Sequence, residues 1–233
     1  KRKGFTTFPE CPDAGYLPEA LKNFVALLGW SHPDGKEVMS TDELINAFSL
    51  DRFNPAGAVF DAVKLKWMNS VHLRALPDME IWNLMSPFLK KAGLELPADP
   101  DWQARSVQTF RPNLEVLADG VELYRPLSLS GFAIQSEADE VFTWESTAKV
   151  LETWISLLKS HPTETLTEAD FTALQDKVKT DANVKGKFLF MPIRVAVIGK
   201  PHGTELKILV PLMNKKSLIE RAELCQKRLG GKA

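Results

Sequence analysis

Residues 187–212, "KFLFMPIRVAVIGKPHGTELKILVPL", decide the fold class, because they read in two incompatible ways. An apolar run, a glycine loop carrying Lys200 and His202, and a second apolar run could open a nucleotide-binding fold. That reading needs glycines spaced GxGxxG, or a GxxxxGK followed by Ser or Thr, so that backbone N–H groups can cradle phosphate. Here Gly199 and Gly203 give only GxxxG, and Thr204 follows Gly203 with no lysine between. Pro192 would interrupt the hydrogen-bond ladder of a central strand, and no neighbouring run offers a parallel partner. The stretch therefore predicts two helices, over about 187–198 and 204–212, joined by a tight turn.

Arg194 is the one charge inside the apolar run 188–198, and an arginine is rarely buried without a partner because desolvating it is costly. Two readings stay open: a structural ion pair with a carboxylate, or a guanidinium held at the surface for a phosphate or a base edge.

Working outward, the chain reads as mainly α. "LPEALKNFVALLGW" places Pro18 at a first helical position, Leu21, Phe24, Val25 and Leu28 on one face, and Gly29 as a stop. Ser40 with Glu43, and Thr167 with Asp170, have the spacing of capping boxes that start helices. Pro87 and Pro112 fall inside further helical stretches and are expected to kink or break them. Trp67 lies in a helical context and is read as core rather than as a stacking platform.

The 233 residues are 44% apolar and 25% charged, an ordinary globular composition, with no apolar run of about eighteen residues to span a membrane and no apolar signal region behind the basic start. Cys11 and Cys225 sit far apart without metal-ligand spacing, which fits a reducing cytoplasm, gives no disulfide framework and argues against a zinc site. His32, His72, His161 and His202 are scattered, with no triad or metal pattern. Net charge is -1, yet residues 130–184 carry ten acidic against four basic side chains, and residues 185–233 carry eleven basic against three acidic. The basic end suits an anionic partner, or else is a solvated helix face. His202, in a turn beside Lys200, is read as solvated or partner-facing rather than catalytic.

"GYLPEALKNFVALLGWSHPDGKEVMSTDELINAFSLDR" (15–52), "AVFDAVKLKWMN" (58–69), "PFLKKAGL" (87–94), Arg111-Pro112 and "MPIRVAVIGKPHGTEL" (191–206) together resemble the bacterial glutamyl-tRNA synthetases, in the part that follows the signature ATP-site loop. The resemblance covers essentially the whole chain, strongest over 15–93, thinner over 94–184 and good again over 187–222.

The resemblance implies that the class I catalytic domain lies outside this chain. Only "KRK" matches the end of the KMSKS-type motif, so that Lys1 would be a remnant of the ATP site. The chain is then expected to be a fragment that binds tRNA without aminoacylating it or needing a cofactor. The full-length parent would be a glutamate–tRNA ligase using ATP and Mg2+. The implied architecture is a stem-contact region over 1–75 with minor β near the N-terminal region, and two helical anticodon-binding subdomains over 76–135 and 136–233. Arg52, Lys64 and Lys66 would touch the tRNA stem. Arg194 stands at the position of a base-contacting arginine, with Met191, Gly203, Thr204 and Leu206 at neighbouring contacts, and Arg111 and Asn113 in the other subdomain.

Asn113 departs from the arginine that members specific for tRNA(Glu) can carry there; its amide both donates and accepts, which implies relaxed discrimination. The expected partner is tRNA(Glu), with tRNA(Gln) as a second candidate, and neither DNA nor membrane; the chain is expected to be a monomer in the cytoplasm. The alternatives are a helical protein-interaction module without RNA specificity, and a small independent enzyme.

Overall fold

The computed structural model describes residues 13–53, 60–128 and 130–231; Lys1 and Cys11 lie outside the described residues. The chain divides into two compact units, residues 1–93 with 99–122, and residues 94–98 with 123–233.

In the first unit, Pro18 opens helix α1 (Pro18–Gly29), which buries Ala20, Asn23 and Phe24. The Ser40–Glu43 capping box forms as the spacing predicts and starts α2 (Thr41–Ala47). Asp61 caps α3 (Ala62–Ala75) by accepting from the Val63 and Lys64 N–H groups. Phe24, Tyr16, Leu65, Met68 and Val116 make one apolar core, and Trp30, Met39 and Leu44 make a second. Asn69 on α3 is buried and ties three segments together, accepting from the Leu17 N–H at 2.7 Å and donating to the Glu115 carbonyl at 2.6 Å.

Helix α4 (Asp78–Lys91) runs unbroken through Pro87. The missing proline N–H would have served the Asn83 carbonyl; the Ser86 hydroxyl donates to that oxygen at 3.3 Å, so the expected break does not occur. Helix α5 (Pro100–Phe110) does end just before Pro112, in a 3-10 turn over Arg111–Asn113.

The minor β expected near the N-terminal region is absent among the described residues, where only two isolated antiparallel bridges occur, Trp30 with Phe53 and Thr165 with Asn214. One reason lies in Asn23, whose side chain accepts from the Met39 N–H at 2.8 Å and donates to the Glu37 carbonyl at 2.9 Å. Side-chain bonds of this kind satisfy an extended backbone without a strand partner. Trp67 is likewise not core: it is 44% exposed on α3, because its neighbours Leu65 and Met68 take the buried sector.

The short α6 (Gly120–Tyr124) leads into the second unit, which is built around α7 (Glu145–Ser160). Against α7 pack α8 (Glu168–Asp181), α9 (Lys187–Ile198) and α11 (Lys215–Gly230), with the one-turn α10 (Leu206–Leu209) between the last two in sequence. The two helices and turn expected over 187–212 are present, the second passing into a 3-10 turn over Val210–Leu212. Among the described residues no helix is long and apolar enough to cross a membrane.

Candidate nucleic-acid interface

Helix α9 is apolar nearly all round, and its geometry explains why. Leu189, Ile193, Ala196 and Val197 face the core at 2% exposure or less, while Lys187, Phe188 and Phe190 are exposed and Met191 and Arg194 are half-buried. Lys187, Phe190, Met191 and Arg194 are spaced i, i+3, i+4, i+7, a single stripe along the outer face.

The helix ends at Gly199, whose φ of 78° is left-handed. A Cβ there would stand 2.2 Å from the Ala133 carbonyl oxygen, and the Gly199 carbonyl accepts from the Gln135 N–H at 2.9 Å. Glycine at this site is thus the cap that lets segment 133–135 close over the turn.

Arg194 reaches back across that turn. Its Nη1 donates to the Gly203 carbonyl at 3.1 Å and to the Thr204 carbonyl at 3.0 Å. Among the described residues it has no carboxylate ion pair, and its Nε and Nη2 have no hydrogen-bond acceptor, so the structural-ion-pair reading is not realised. Burial pushes the guanidinium below the usual arginine range, against the opposing field of Glu205. One edge of the fork holds the turn and the other edge stays open, the geometry a bidentate acceptor needs. Gly203 is exposed, Thr204 half-buried and Leu206 4% exposed, so Leu206 seats the turn in the core.

Part of the charge asymmetry is spent inside this unit. Acidic side chains of residues 130–184 pair with basic ones of 185–233: Asp139 with Arg228, Glu137 with His202 at 3.2 Å, and Glu164 with Lys215 at 3.4 Å. Glu223 pairs in the opposite sense with Lys159, at 2.7 Å. Among the described residues, the cations left without a carboxylate include Lys185, Lys187, Arg194 and Lys200. Lys187 instead lies 5.2 Å from the ring centroids of both Trp144 and Phe188.

In the first unit, Arg111 and Asn113 share one 3-10 turn but differ in what they hold. Arg111 donates from Nη2 to Asp78 and from Nη1 to the Arg74 carbonyl at 3.1 Å, while Arg74 returns a bond to the Pro112 carbonyl at 3.0 Å. It fastens α5 to the junction of α3 and α4. Asn113 is exposed, and its amide has no partner among the described residues. Lys64 pairs with Glu37 and Lys66 with Glu115, each at 2.6 Å, and the bond from Glu115 raises the Lys66 pKa. Arg52 is exposed, without an ion pair among the described residues.

Two features were missed in the sequence. Arg221, 5% exposed, donates to the carbonyls of Pro126 at 2.7 Å, Val197 at 2.8 Å and Ser128 at 2.9 Å, with Phe132 5.0 Å from its guanidinium carbon. Burial lowers its pKa to about 10. Its position on the stripe Leu218, Arg221, Ala222, Cys225 was a readable signal. The second feature is the aromatic pair Trp144 and Phe188, with ring centroids 5.0 Å apart, which no local pattern joins. Burial pushes the Cys225 thiol up to about 12, which removes it as a nucleophile. Among the described residues no cluster of His, Cys, Asp and Glu could hold a metal ion.

Residues 80–224 match a family model described as an anticodon binding domain, and residues 1–67 match the catalytic domain of tRNA synthetases class I (E and Q). The chain is 54% identical over 223 residues to a glutamate–tRNA ligase of Bdellovibrio bacteriovorus, covering 96% of this chain and 46% of that protein. It is 36% identical over 226 residues to glutamate–tRNA ligase 2 of Syntrophus aciditrophicus, covering 95% of this chain and 45% of that one. A solved glutamate–tRNA ligase from Elizabethkingia meningosepticum superposes with a TM-score of 0.79 at 23% identity, over 94% of this chain and 42% of that one, a likeness of fold. The chain spans about half the length of these relatives.

Proposed function

The chain belongs to the anticodon binding domain family, and we propose that it is the tRNA-binding portion of a glutamate–tRNA ligase. In this reading residues 1–75 meet the stem, and residues 76–135 and 136–233 carry the anticodon readers. The whole ligase would join glutamate to tRNA(Glu) in the cytoplasm with ATP and Mg2+, with Lys1 belonging to its ATP site. This chain would bind the tRNA as a monomer without charging it.

The observation that carries the reading is Arg194: a half-buried guanidinium with two carbonyls on one edge and, among the described residues, no carboxylate and no acceptor on its second edge. Such a fork selects a base edge or a phosphate of an unstacked nucleotide. Met191 supplies apolar packing beside it, Gly203 and Thr204 the turn it stabilises, and Leu206 the anchor of that turn. Asn113 reads a further base through its free amide, and an amide that both donates and accepts admits tRNA(Gln) as well as tRNA(Glu). Arg111 acts beneath Asn113 by fixing the turn. On the stem side, Arg52 is the better phosphate contact, because Lys64 and Lys66 must first release Glu37 and Glu115.

The test is titration of the chain with tRNA(Glu), tRNA(Gln) and an unrelated tRNA over a salt series. Tight binding to the first two, weakening linearly in log salt, is expected. Equal affinity for all three removes anticodon reading. Salt-independent or absent binding favours a protein-interaction module, a reading that the exposed Ile45, Phe48, Leu50 and Phe53 would then support.

A further inference from the structure

An open groove of about 560 Å3 lies at the start of α9, lined by Trp144, Glu145, Ser146, Ala182 to Lys185 and Phe188. It is distinct from the turn that Arg194 holds, although the outer stripe of α9 connects the two. From Lys187 to Arg194 that stripe rises about 10 Å, at about 1.5 Å per residue.

The walls of the groove carry three kinds of chemistry. Phe188 is 41% exposed and meets Trp144 edge to face at 72°, so an aromatic surface remains open to the groove. Lys187 sits over both rings, and Lys185 is exposed without a carboxylate partner among the described residues. Polar groups complete it: the Ser146 hydroxyl oxygen is buried without a hydrogen-bond partner, and Asn183, held left-handed at φ 51°, has a side-chain amide with no partner among the described residues. Glu145 is the one carboxylate in the lining.

We propose that this groove is a second nucleotide subsite for single-stranded RNA: an unstacked base packs on Phe188 and Trp144, its edge meets the Asn183 amide, and its phosphate lies toward Lys185 and Lys187. The inference rests on the tRNA-binding reading and adds a nucleotide next to the one Arg194 holds. An aromatic platform with flanking cations suits a base and its phosphate together, since every base has a stackable face and the phosphate answers the unpaired ammonium groups. A purely apolar partner would leave Lys185 and the Asn183 amide unanswered, and Glu145 disfavours an acidic peptide laid along the groove.

The test uses the whole chain and the isolated anticodon stem-loop of tRNA(Glu). Phe188→Ala and Lys185→Glu are each expected to weaken binding by about ten-fold at fixed salt. Bound RNA should quench part of the tryptophan fluorescence, and Trp144→Phe should remove that part. Because Phe188 and Lys185 are exposed, circular dichroism should stay unchanged. If Arg194→Ala weakens binding while Phe188→Ala and Lys185→Glu leave affinity and quenching intact, the groove is not a subsite and the tRNA-binding reading stands. If the wild-type chain binds no RNA, both fall.

Discussion

Arg221, near the middle of α11, donates from Nη1 to the carbonyl oxygen of Val197, in the last turn of α9, at 2.8 Å. The same guanidinium serves the Pro126 and Ser128 carbonyls, so one buried cation satisfies three backbone acceptors from two distant segments. Its charge is stabilised by oriented carbonyl dipoles rather than by a carboxylate. This fixes the C-terminal end of α9 and with it the turn that Arg194 spans.

Arg221→Met fills the volume but leaves three carbonyls without a donor. A loss of about 3 to 5 kcal/mol is expected from urea unfolding. A midpoint close to wild type would show that water replaces the guanidinium.

Gly199→Ala forces a Cβ into a left-handed site, 2.2 Å from the Ala133 carbonyl oxygen. The cost should be about 2 kcal/mol, read as a lowered thermal midpoint. RNA affinity should fall with it, because segment 133–135 closes over the turn; an unaltered melt would contradict the close approach.

Arg194→Ala should weaken tRNA binding by about 1 to 3 kcal/mol at fixed salt. Arg194→Lys keeps the charge but loses the planar fork, and should recover little of the affinity. Recovery to wild type with lysine would reduce the residue to a point charge.

Asn113 is exposed and has no side-chain partner among the described residues, so Asn113→Arg should fold normally. The expected change is in preference: affinity for tRNA(Gln) should drop relative to tRNA(Glu). An unchanged ratio between the two would dismiss the residue as a discriminator.

Glu43 accepts from the Lys36 ammonium and from the Ser40 N–H, which together lower its pKa from 4.5 to about 2. A depressed carboxyl contributes stability that is fully present above the unfolded value and is lost as pH falls from there through the folded value. The difference in thermal midpoint between wild type and Glu43→Gln should therefore be largest near about pH 6 and close toward about pH 2. A gap independent of pH would place the stabilisation elsewhere.

Sequence alone determined the helical class, both capping boxes and the helix–turn–helix over 187–212. These depend on residues within about one or two turns of each other, where the 3.6-residue period and the needs of free backbone N–H groups act directly. Tertiary structure decided the rest. Lys66 meets Glu115 forty-nine positions away, and Arg221 meets Pro126 ninety-five positions away. Whether a cation is open to a phosphate or already paired, and whether Trp67 is core or surface, depends on which distant segment packs over it. No local period carries that information, so only the packing shows which acidic and basic side chains of the two segments pair, Asp139 with Arg228 and Glu164 with Lys215 among them. Among the described residues, Arg194 and Asn113 were left with open hydrogen-bonding groups.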